Sequence, residues 1–279
     1  MFEKVNKFHP DKVADRIGGA IVDLAYARQE NPKVAVEVLT GHGVCNVIIE
    51  SSVEFTQSDI ETIVHRLIND SVVVNLISVP QDVHLADNQS LEIKCGDNGI
   101  FKGVPLTNEE RLLAKIAKDI EAKHPYDGKY VIDEKAKKLI ICQSNITEDE
   151  ARNFKTYYEK EYNLDTVVNP LGPWTGGINV DSGATNRKLG SDMAQSVSGG
   201  GINGKDLSKA DVSANIYAFF KAQELGRTVE LFCAIGDTEV LCRIGNKITY
   251  IPYSEIVDFA RDVIEGLGGF EAFSEYGFV

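Results

Sequence analysis

The sequence of 279 residues lacks the features that mark membrane and secreted proteins. No apolar stretch approaches the ~20 residues that a membrane-spanning helix needs. The N-terminal segment, MFEKVNKFHPDK, has no hydrophobic stretch of the kind found in signal peptides. These absences exclude a spanning helix and predict a soluble protein of the cytoplasm.

Cysteine and histidine are also scarce, with five of each. The cysteines are Cys45, Cys95, Cys142, Cys233 and Cys242. None belongs to a C-x-x-C pair and their number is odd, which predicts buried, reduced thiols and not a disulfide framework. The histidines are scattered along the chain, so a zinc site is not expected.

The chain has 29 basic residues and 42 acidic ones, and its formal net charge is −13. This balance gives no overall attraction to nucleic acid or to an anionic membrane, so neither is expected as a partner. Any anion-binding site must therefore be a local cluster of lysine and arginine in an acidic molecule.

One order of elements, helix–strand–strand–helix, recurs three times along the chain. The pattern predicts helices over 11–28, 57–69, 107–122, 147–161, 206–225 and 253–266, and strands over 33–40, 44–50, 72–79, 129–133, 138–142, 227–235 and 239–250. Thr107 with Glu110, and Thr147 with Glu150, form capping-box patterns at two helix starts. The recurrence predicts an α+β fold of three similar αββα-type units, with mixed sheets covered by helices. The expected bounds are 11–104, 105–168 together with 1–10, and 169–279.

Two long stretches rich in glycine, asparagine, aspartate and serine, 80–105 and 169–206, interrupt this pattern. Loops of this length in a compact chain are often functional. In the second, a glycine-rich turn leads into Lys205, and a helix start there would add partial positive charge. Lys205 and Lys209 are four residues apart and are expected to share a helical face. Together with Arg187 and Lys188 they predict a polyphosphate site.

Seven segments, taken in order, resemble the S-adenosylmethionine synthetase (methionine adenosyltransferase) family. They are HPDKVADRIGGAIVD, VAVEVLTGHGVCNVIIESSV, CGDNGIFKG, NPLGPW, VDSGATNRK, GGGINGKDLSKADVSANIYA and ELFCAIGDTEV. Each fragment alone is weak evidence, but their conserved order along most of the chain is specific. The sequence is thereby identified as a short, divergent member of that family.

The resemblance implies a fold, an activity and an assembly. Members of the family have three similar α+β domains around a pseudo-threefold axis, and work as dimers or tetramers with active sites between two subunits. The sulfur of L-methionine attacks the ribose C5′ of ATP and expels triphosphate, which is then hydrolysed to pyrophosphate and phosphate. Mg²⁺ is required, and usually K⁺. This chain is accordingly expected to be a homodimer, and a tetramer stays open.

The resemblance also implies roles for single residues. The expected ATP-binding residues are His9, Asp127, Lys129, Trp174, Asp181, Arg187, Lys188 and Lys205, and the expected methionine-binding residues are Glu50, Asp97, Asp181 and Lys209. Asp11 and Asp211 are expected to hold Mg²⁺, and Glu37 to help bind K⁺. The catalytic set, which stabilises the charged leaving group, comprises His9, Lys129, Arg187, Lys188, Lys205 and Lys209.

Several departures from the family pattern leave other functions open. Pro173 stands where the family has arginine, and Trp174 replaces a phenylalanine that packs on the adenine. Trp174 serves either that stacking role or simple packing. The stretch before CGDN is short, so Gln81 and Gln89 are only candidates for a methionine-binding glutamine. The alternatives are a non-catalytic nucleotide-binding or regulatory paralogue, and a phosphate-handling enzyme such as a triphosphatase.

Overall fold

The computed structural model describes residues 1–83 and 92–279, and in these ranges the strands form three four-stranded sheets. The strands are β1 (Phe2–Val5), β2 (Val34–Gly41), β3 (Val44–Ser51), β4 (Val73–Pro80), β5 (Gly99–Gly103), β6 (Gly128–Asp133), β7 (Lys138–Gln143), β8 (Asp165–Val168), β9 (Ser182–Ala184), β10 (Val229–Cys233), β11 (Glu239–Ile244) and β12 (Lys247–Pro252). The helices are α1 (Pro10–Arg28), α2 (Gln57–Leu67), α3 (Asn108–Glu121), α4 (Glu148–Tyr162), α5 (Leu189–Met193), α6 (Ala210–Leu225), α7 (Tyr253–Leu267) and α8 (Phe270–Tyr276). A 3₁₀ turn, Ala194–Ser196, follows α5.

The sheet orders are β4-β3-β2-β9 in the first sheet, β1-β6-β7-β8 in the second and β12-β11-β10-β5 in the third. The first two sheets are mixed, because β3 pairs with β4 and β7 with β8 in parallel. All pairs in the third sheet are antiparallel. The predicted α+β class is confirmed. The residue bounds proposed for three units stay a prediction, and some strands pair across them: β5 joins β10, and β9 joins β2.

Three helices begin with a complete capping box, in which a threonine and an acidic residue three positions later bond each other's backbone N–H. The Thr107 and Thr147 patterns read from the sequence are confirmed, and Thr56 adds a third. Each box satisfies donors that the first helical turn leaves unpaired. The local sequence is therefore sufficient to fix where these helices start.

Two predicted elements have different bounds in the structure. The helix expected over 206–225 begins at Ala210, so Lys205 and Lys209 precede it and do not share a helical face. The strand expected over 239–250 is a hairpin of β11 and β12, which turns at Gly245. The short strands β5 and β9 lie in the two stretches for which the composition predicts loops. Their partners are distant in sequence, so local periodicity does not reveal them.

Helix α1 is the central element of the core. Its residues Ile17 and Ile21 are fully buried, and the helix packs between β2, β9 and α8. This burial fixes the N-terminal end of α1, and with it His9 and Asp11, against the segment that contains β9. Of the helices in the described ranges, none is long and apolar enough to cross a membrane.

Candidate active site

The first group of charged side chains, here the α1 cluster, surrounds the N-terminal end of α1. His9 caps the helix, and its Nδ1 accepts a hydrogen bond from the Asp11 N–H at 3.2 Å. The buried Asp11 accepts the Ala184 N–H at 2.9 Å and the Lys188 ammonium at 2.5 Å. The guanidinium of Arg187 lies 3.6 Å from the other Asp11 oxygen, and its side chain is more than half exposed. The buried Asp11 carboxylate thus orients two cations that are adjacent in sequence, Arg187 and Lys188.

These contacts set the protonation states in the α1 cluster. Burial disfavours the charged form of Asp11, but the hydrogen bonds from Lys188 and from the Ala184 N–H outweigh it and hold its pKa below the usual value. Burial, reinforced by the Lys188 charge, lowers the pKa of His9 to about 4. At neutral pH the His9 ring is therefore uncharged and Asp11 is ionised.

Two further aspartates border the same cluster. Asp127 is buried and its Oδ2 accepts the Gly177 N–H at 3.1 Å; burial raises its pKa to about 6. Asp181 is exposed and its charge acts on both His9 and Asp127. Lys129 lies at the edge, where its ammonium is 3.1 Å from the Glu3 carboxylate. Seven of the sequence-predicted residues therefore fall in or beside one cluster.

A cavity of about 280 Å³ adjoins this cluster. It is lined by Cys142, Asn169, Pro170, Leu171, Gly172, Pro173 and Trp174. The indole N–H donates to Asn169 Oδ1 at 3.3 Å, and the Trp174 side chain is 37% exposed. A Cβ placed on Gly176 would lie 2.6 Å from the indole ring and 2.9 Å from Asp127 Oδ2. The indole and the Asp127 carboxylate are therefore neighbours.

The second group, here the α6 cluster, lies at the start of α6. The Lys205 ammonium pairs with Asp211 Oδ2. Asp211 Oδ1 is buried, and no donor in the described part of the chain reaches it. Burial and then the Asp211 carboxylate raise the pKa of Asp97 to about 6. One Asp211 oxygen is therefore paired with an ammonium, and the other is available to a further ligand.

The glycine-rich turn before Lys205 is fastened to the first sheet. Val36 N–H donates to the Gly204 carbonyl at 2.7 Å, and the Asp206 N–H donates to the Val34 carbonyl at 3.1 Å. The Asp206 carboxylate in turn accepts the Val34 N–H at 2.8 Å. Because both sides of Lys205 are bonded to β2, its position depends on the sheet and not on α6. Among the described residues, no ion pair connects the α1 cluster with the α6 cluster.

The chain resembles known proteins in sequence and in fold. Residues 1–76 match the model of the S-adenosylmethionine synthetase N-terminal domain. Two similar proteins are S-adenosylmethionine synthases of Pseudothermotoga lettingae, 29% identical over 80% of this chain and 73% of its relative, and of Thermus thermophilus, 26% identical over 94% and 86%. A solved structure of an unusual S-adenosylmethionine synthetase from Campylobacter jejuni shares the fold, with a TM-score of 0.75 and 19% identity over 100% of this chain and 94% of that one. This chain is similar to S-adenosylmethionine synthetases over most of its length.

Four residues that the synthetase resemblance selected lie outside the two clusters. Lys209 pairs with Asp206 at 3.3 Å and not with Asp211. Glu37 accepts a hydrogen bond from the Thr185 hydroxyl on the exposed face of the first sheet, and Glu50 is exposed on the same face. Gln81 is buried, with no donor to its Oε1 in the described ranges, and Gln89 lies outside the described residues. No described group of three or more histidine, cysteine, aspartate or glutamate side chains converges as a metal site.

One set of charged residues behind the site was missed by sequence reasoning. Lys12 is buried, and its ammonium contacts Asp15 at 3.0 Å and Asp192 at 2.7 Å. Asp15 also accepts the Asn186 N–H at 2.7 Å, directly before the two cations of the α1 cluster. Burial of a charged trio is costly unless it is fully paired, so it points to a positional role. The available signal was the i, i+3 pair of Lys12 and Asp15 in the first turns of helix α1.

Proposed function

We propose that this chain makes S-adenosylmethionine from ATP and L-methionine, by attack of the methionine sulfur on the ribose C5′ and departure of the whole triphosphate. The observation that carries the proposal is the pair of cation–carboxylate clusters, built inside a molecule of net charge −13 on the synthetase fold. An acidic protein that concentrates cations in two places has sites suited to a polyanion. The triphosphate is then hydrolysed to pyrophosphate and phosphate.

The proposed catalysis is electrostatic. A thioether sulfur is already a nucleophile, so no base is needed, and the barrier lies in charge that develops on the leaving oxygen. Arg187 and Lys188 in the α1 cluster bind the triphosphate, and so does Lys205 in the α6 cluster. His9, uncharged at neutral pH, can donate a hydrogen bond near the breaking C5′–O bond. The Lys129 ammonium reaches the phosphates once its ion pair with the Glu3 carboxylate is broken.

The nucleoside is assigned to the cavity beside Trp174. Its volume of about 280 Å³ and its indole wall suit an adenine ring. Aromatic stacking contributes roughly 1–3 kcal/mol per base in nucleic-acid platforms. Asp127 lies beside the indole, and the charge of Asp181 acts on Asp127; both carboxylates can accept hydrogen bonds from the ribose or the base. The Pro173 that replaces the family arginine lines the same cavity. Stacking on the larger indole face offsets part of the lost contact.

Divalent and monovalent metals fit the carboxylates that are present. Asp211 offers a buried oxygen without a donor, and Asp11 offers an ionised, orienting carboxylate; both are hard oxygen ligands suited to Mg²⁺. Glu37 on the sheet face is assigned to K⁺. A bound Mg²⁺ neutralises phosphate charge as it develops. The repulsion between the Asp97 and Asp211 carboxylates would be relieved by the same cation.

The methionine subsite and the assembly are proposed together. Glu50, Asp97, Asp181 and Lys209 are assigned to methionine, yet Glu50 lies on the exposed sheet face and Lys209 beside Asp206. The exposed face also carries large apolar residues, which soluble monomers rarely group together. They are Leu39, Val44, Ile48, Val73, Ile77 and Val79. We infer a homodimer across this face, in which one subunit's α1 cluster and the partner's α6 cluster form one site.

One assay separates the candidate functions. The protein is incubated with ATP, Mg²⁺ and K⁺, with and without L-methionine, and S-adenosylmethionine and phosphate are measured by mass spectrometry and phosphate release. The proposal expects methionine-dependent S-adenosylmethionine. Phosphate release without methionine-dependent product would support a triphosphatase. ATP binding without either product would support the non-catalytic paralogue, for which the loss of the arginine at Pro173 is the motivating observation.

A further inference from the structure

A cavity of about 300 Å³ lies between the C-terminal end of α1, the end of α7 and the start of α8. Its apolar wall consists of Tyr26, Leu207, Ile264 and Phe270. The Tyr26 and Phe270 rings are stacked, with their centroids 5.2 Å apart. None of the residues assigned to ATP, methionine or metal lines this cavity. It is therefore a separate site, and its volume is at the lower end of those that hold small ligands.

Two hydrogen-bond donors lie at the end of the cavity that adjoins Leu207. The Arg261 guanidinium donates to Asn31 Oδ1 at 2.7 Å, and no carboxylate of the described residues forms an ion pair with it. The Tyr26 hydroxyl accepts the Leu207 N–H at 3.0 Å, and its own hydrogen has no acceptor in the same ranges. Both side chains also line the narrow recess that contains Asp206, which places them at one end. A guanidinium and a hydroxyl at the same end suit a carboxylate.

Two carboxylates lie away from that end. Glu265 is exposed in the last turn of α7, four residues after Arg261, and forms no ion pair in the described part of the chain. Asp23 accepts the Phe270 N–H at 2.7 Å and the Glu271 N–H at 2.9 Å, one on each oxygen. Each carboxylate oxygen has a second lone pair, so both groups can still accept from an ammonium. Neither carboxylate lines the recess at the donor end.

We propose that this cavity binds an apolar α-amino acid as its zwitterion. The ligand carboxylate accepts from Arg261 and Tyr26, its ammonium donates to Glu265 and Asp23, and its side chain packs on the apolar wall. An anion without an ammonium would be repelled by the two carboxylates, and a cation without a carboxylate would be repelled by Arg261. The lining therefore selects a small molecule that carries both charges.

The site is connected to the glycine-rich turn through one hydrogen bond. The Tyr26 hydroxyl holds the Leu207 N–H, and the preceding residue, Asp206, accepts the Val34 N–H of β2. A ligand that accepts the Tyr26 hydrogen makes the Tyr26 oxygen a better acceptor for Leu207, because linked hydrogen bonds polarise one another. Occupation of the cavity should therefore tighten segment 205–208, which contains Lys205.

Calorimetric titration of the full chain with L-phenylalanine and L-leucine tests the proposal. We expect one site per chain for both amino acids. Two analogues of phenylalanine isolate the charges: 3-phenylpropionate lacks the ammonium, and phenethylamine lacks the carboxylate. Each should bind at least about tenfold more weakly than phenylalanine, because it loses charge-assisted hydrogen bonds and meets an uncompensated like charge.

Two variants locate the site. Arg261→Met keeps an apolar stem and should weaken phenylalanine binding at least about tenfold, whereas Glu265→Gln should weaken it at least about threefold, since Asp23 still accepts from the ammonium. The matched controls are Arg227→Met and Asp262→Asn, which change exposed residues outside the cavity and should bind as the wild type does.

Hydrogen exchange followed by mass spectrometry provides a second readout. Phenylalanine should slow exchange in peptides that cover 205–208 in the wild type and in both controls, but not in Arg261→Met. Arg261→Met also removes the bond to Asn31, so urea unfolding checks its fold. If that variant unfolds, the ligand series on the wild type and the exposed Glu265→Gln decide the outcome.

The proposal is overturned if neither amino acid binds at millimolar concentration, or if both phenylalanine analogues bind as well as phenylalanine. Full phenylalanine affinity in both Arg261→Met and Glu265→Gln would also overturn it, because the amino acid would then bind at a different place, such as the proposed methionine subsite. None of these measurements requires catalysis, so their result does not depend on the proposed function.

Discussion

At the residue scale, Asp211 differs from the other carboxylates of the site because one of its oxygens is buried without a donor from the described residues. Such an atom is costly unless a ligand satisfies it. Asp11, by contrast, is fully engaged by Lys188 and by the Ala184 N–H. Asp211 therefore lacks a hydrogen-bond donor to one oxygen, whereas both Asp11 oxygens have one. The same metal role is nevertheless proposed for both aspartates.

Replacement of either aspartate by asparagine should test that role. Asp11→Asn and Asp211→Asn are each expected to lower the Mg²⁺-dependent turnover at least about 100-fold, because phosphate charge loses a metal ligand. The Mg²⁺ concentration at half-maximal rate should rise for Asp211→Asn. Asp258→Asn, on helix α7, is the matched control. Near-normal turnover in both site variants would remove the metal assignment.

Trp174 allows a second test at the same scale, because it is the only tryptophan in the chain. ATP alone should change the intrinsic fluorescence, since the indole lines the cavity assigned to adenine. Trp174→Ala should weaken ATP binding about tenfold, whereas Trp174→Phe keeps a stacking face and should cost little. An unchanged affinity in the alanine variant, measured by calorimetry, would leave Trp174 a packing role only.

At the element scale, the turn before Lys205 depends on glycine. Gly204 has φ +77°, and a Cβ there would lie 2.5 Å from the Val36 carbonyl oxygen. A side chain is therefore disfavoured twice, by backbone conformation and by contact with β2. The capped helices tolerate more change, because their ends are fixed by local side chains. The turn that leads to Lys205 is thus sensitive to a single added methyl group.

Gly204→Ala should destabilise the fold by more than about 2 kcal/mol and lower kcat, because the β2 bonds on both sides of Lys205 are disturbed. Gly226→Ala separates the two causes: Gly226 has φ +61° but open space around it, so only the backbone strain of about 1 kcal/mol applies. Chemical denaturation and steady-state kinetics provide both readouts. Equal stability losses in the two variants would show that the contact with Val36 is unimportant.

At the scale of the whole molecule, the exposed face of the first sheet is unusual for a monomer. Ile48 and Ile77 lie opposite each other there and are both about half exposed. Ile48→Lys should convert the proposed dimer to a monomer in sedimentation velocity and abolish synthesis, because each site would lose the partner's cluster. Leu267→Lys, an equally exposed position on α7, should change neither. A wild-type monomer with full activity would reject the interface.

The buried Lys4 gives the molecule a pH-dependent stability. Its ammonium donates to the carbonyls of Ser191 and Tyr276, and burial lowers its pKa from 10.5 to about 7. Between these values the unfolded chain binds more protons than the native one, so the free energy of unfolding contributed by Lys4 rises with pH. Relative to Lys4→Met, the wild type should gain roughly 1 kcal/mol per pH unit over this window.

Urea unfolding at pH 7, 8 and 9 measures this difference. Lys247→Met, which removes an exposed lysine on β12, controls for the change in net charge. Parallel stability profiles for the wild type and Lys4→Met would show that the buried ammonium does not titrate in this range.

The sequence by itself determined the local elements and their class. Helix starts at Thr107 and Thr147 follow from side chains three residues apart, and the strands β2 and β3 follow from alternation around a short turn. The ordered motifs also selected most of the residues that form the two clusters. These features depend on neighbours within a few positions, so local chemistry is enough to fix them.

Only the tertiary structure decided which residues meet. It divided the selected cations into two clusters, paired Lys209 with Asp206, and started α6 after Lys205. It also buried Lys12 between Asp15 and Asp192. These contacts join segments separated by up to 180 residues in sequence. They depend on how helices and sheets pack around α1, which no local pattern encodes.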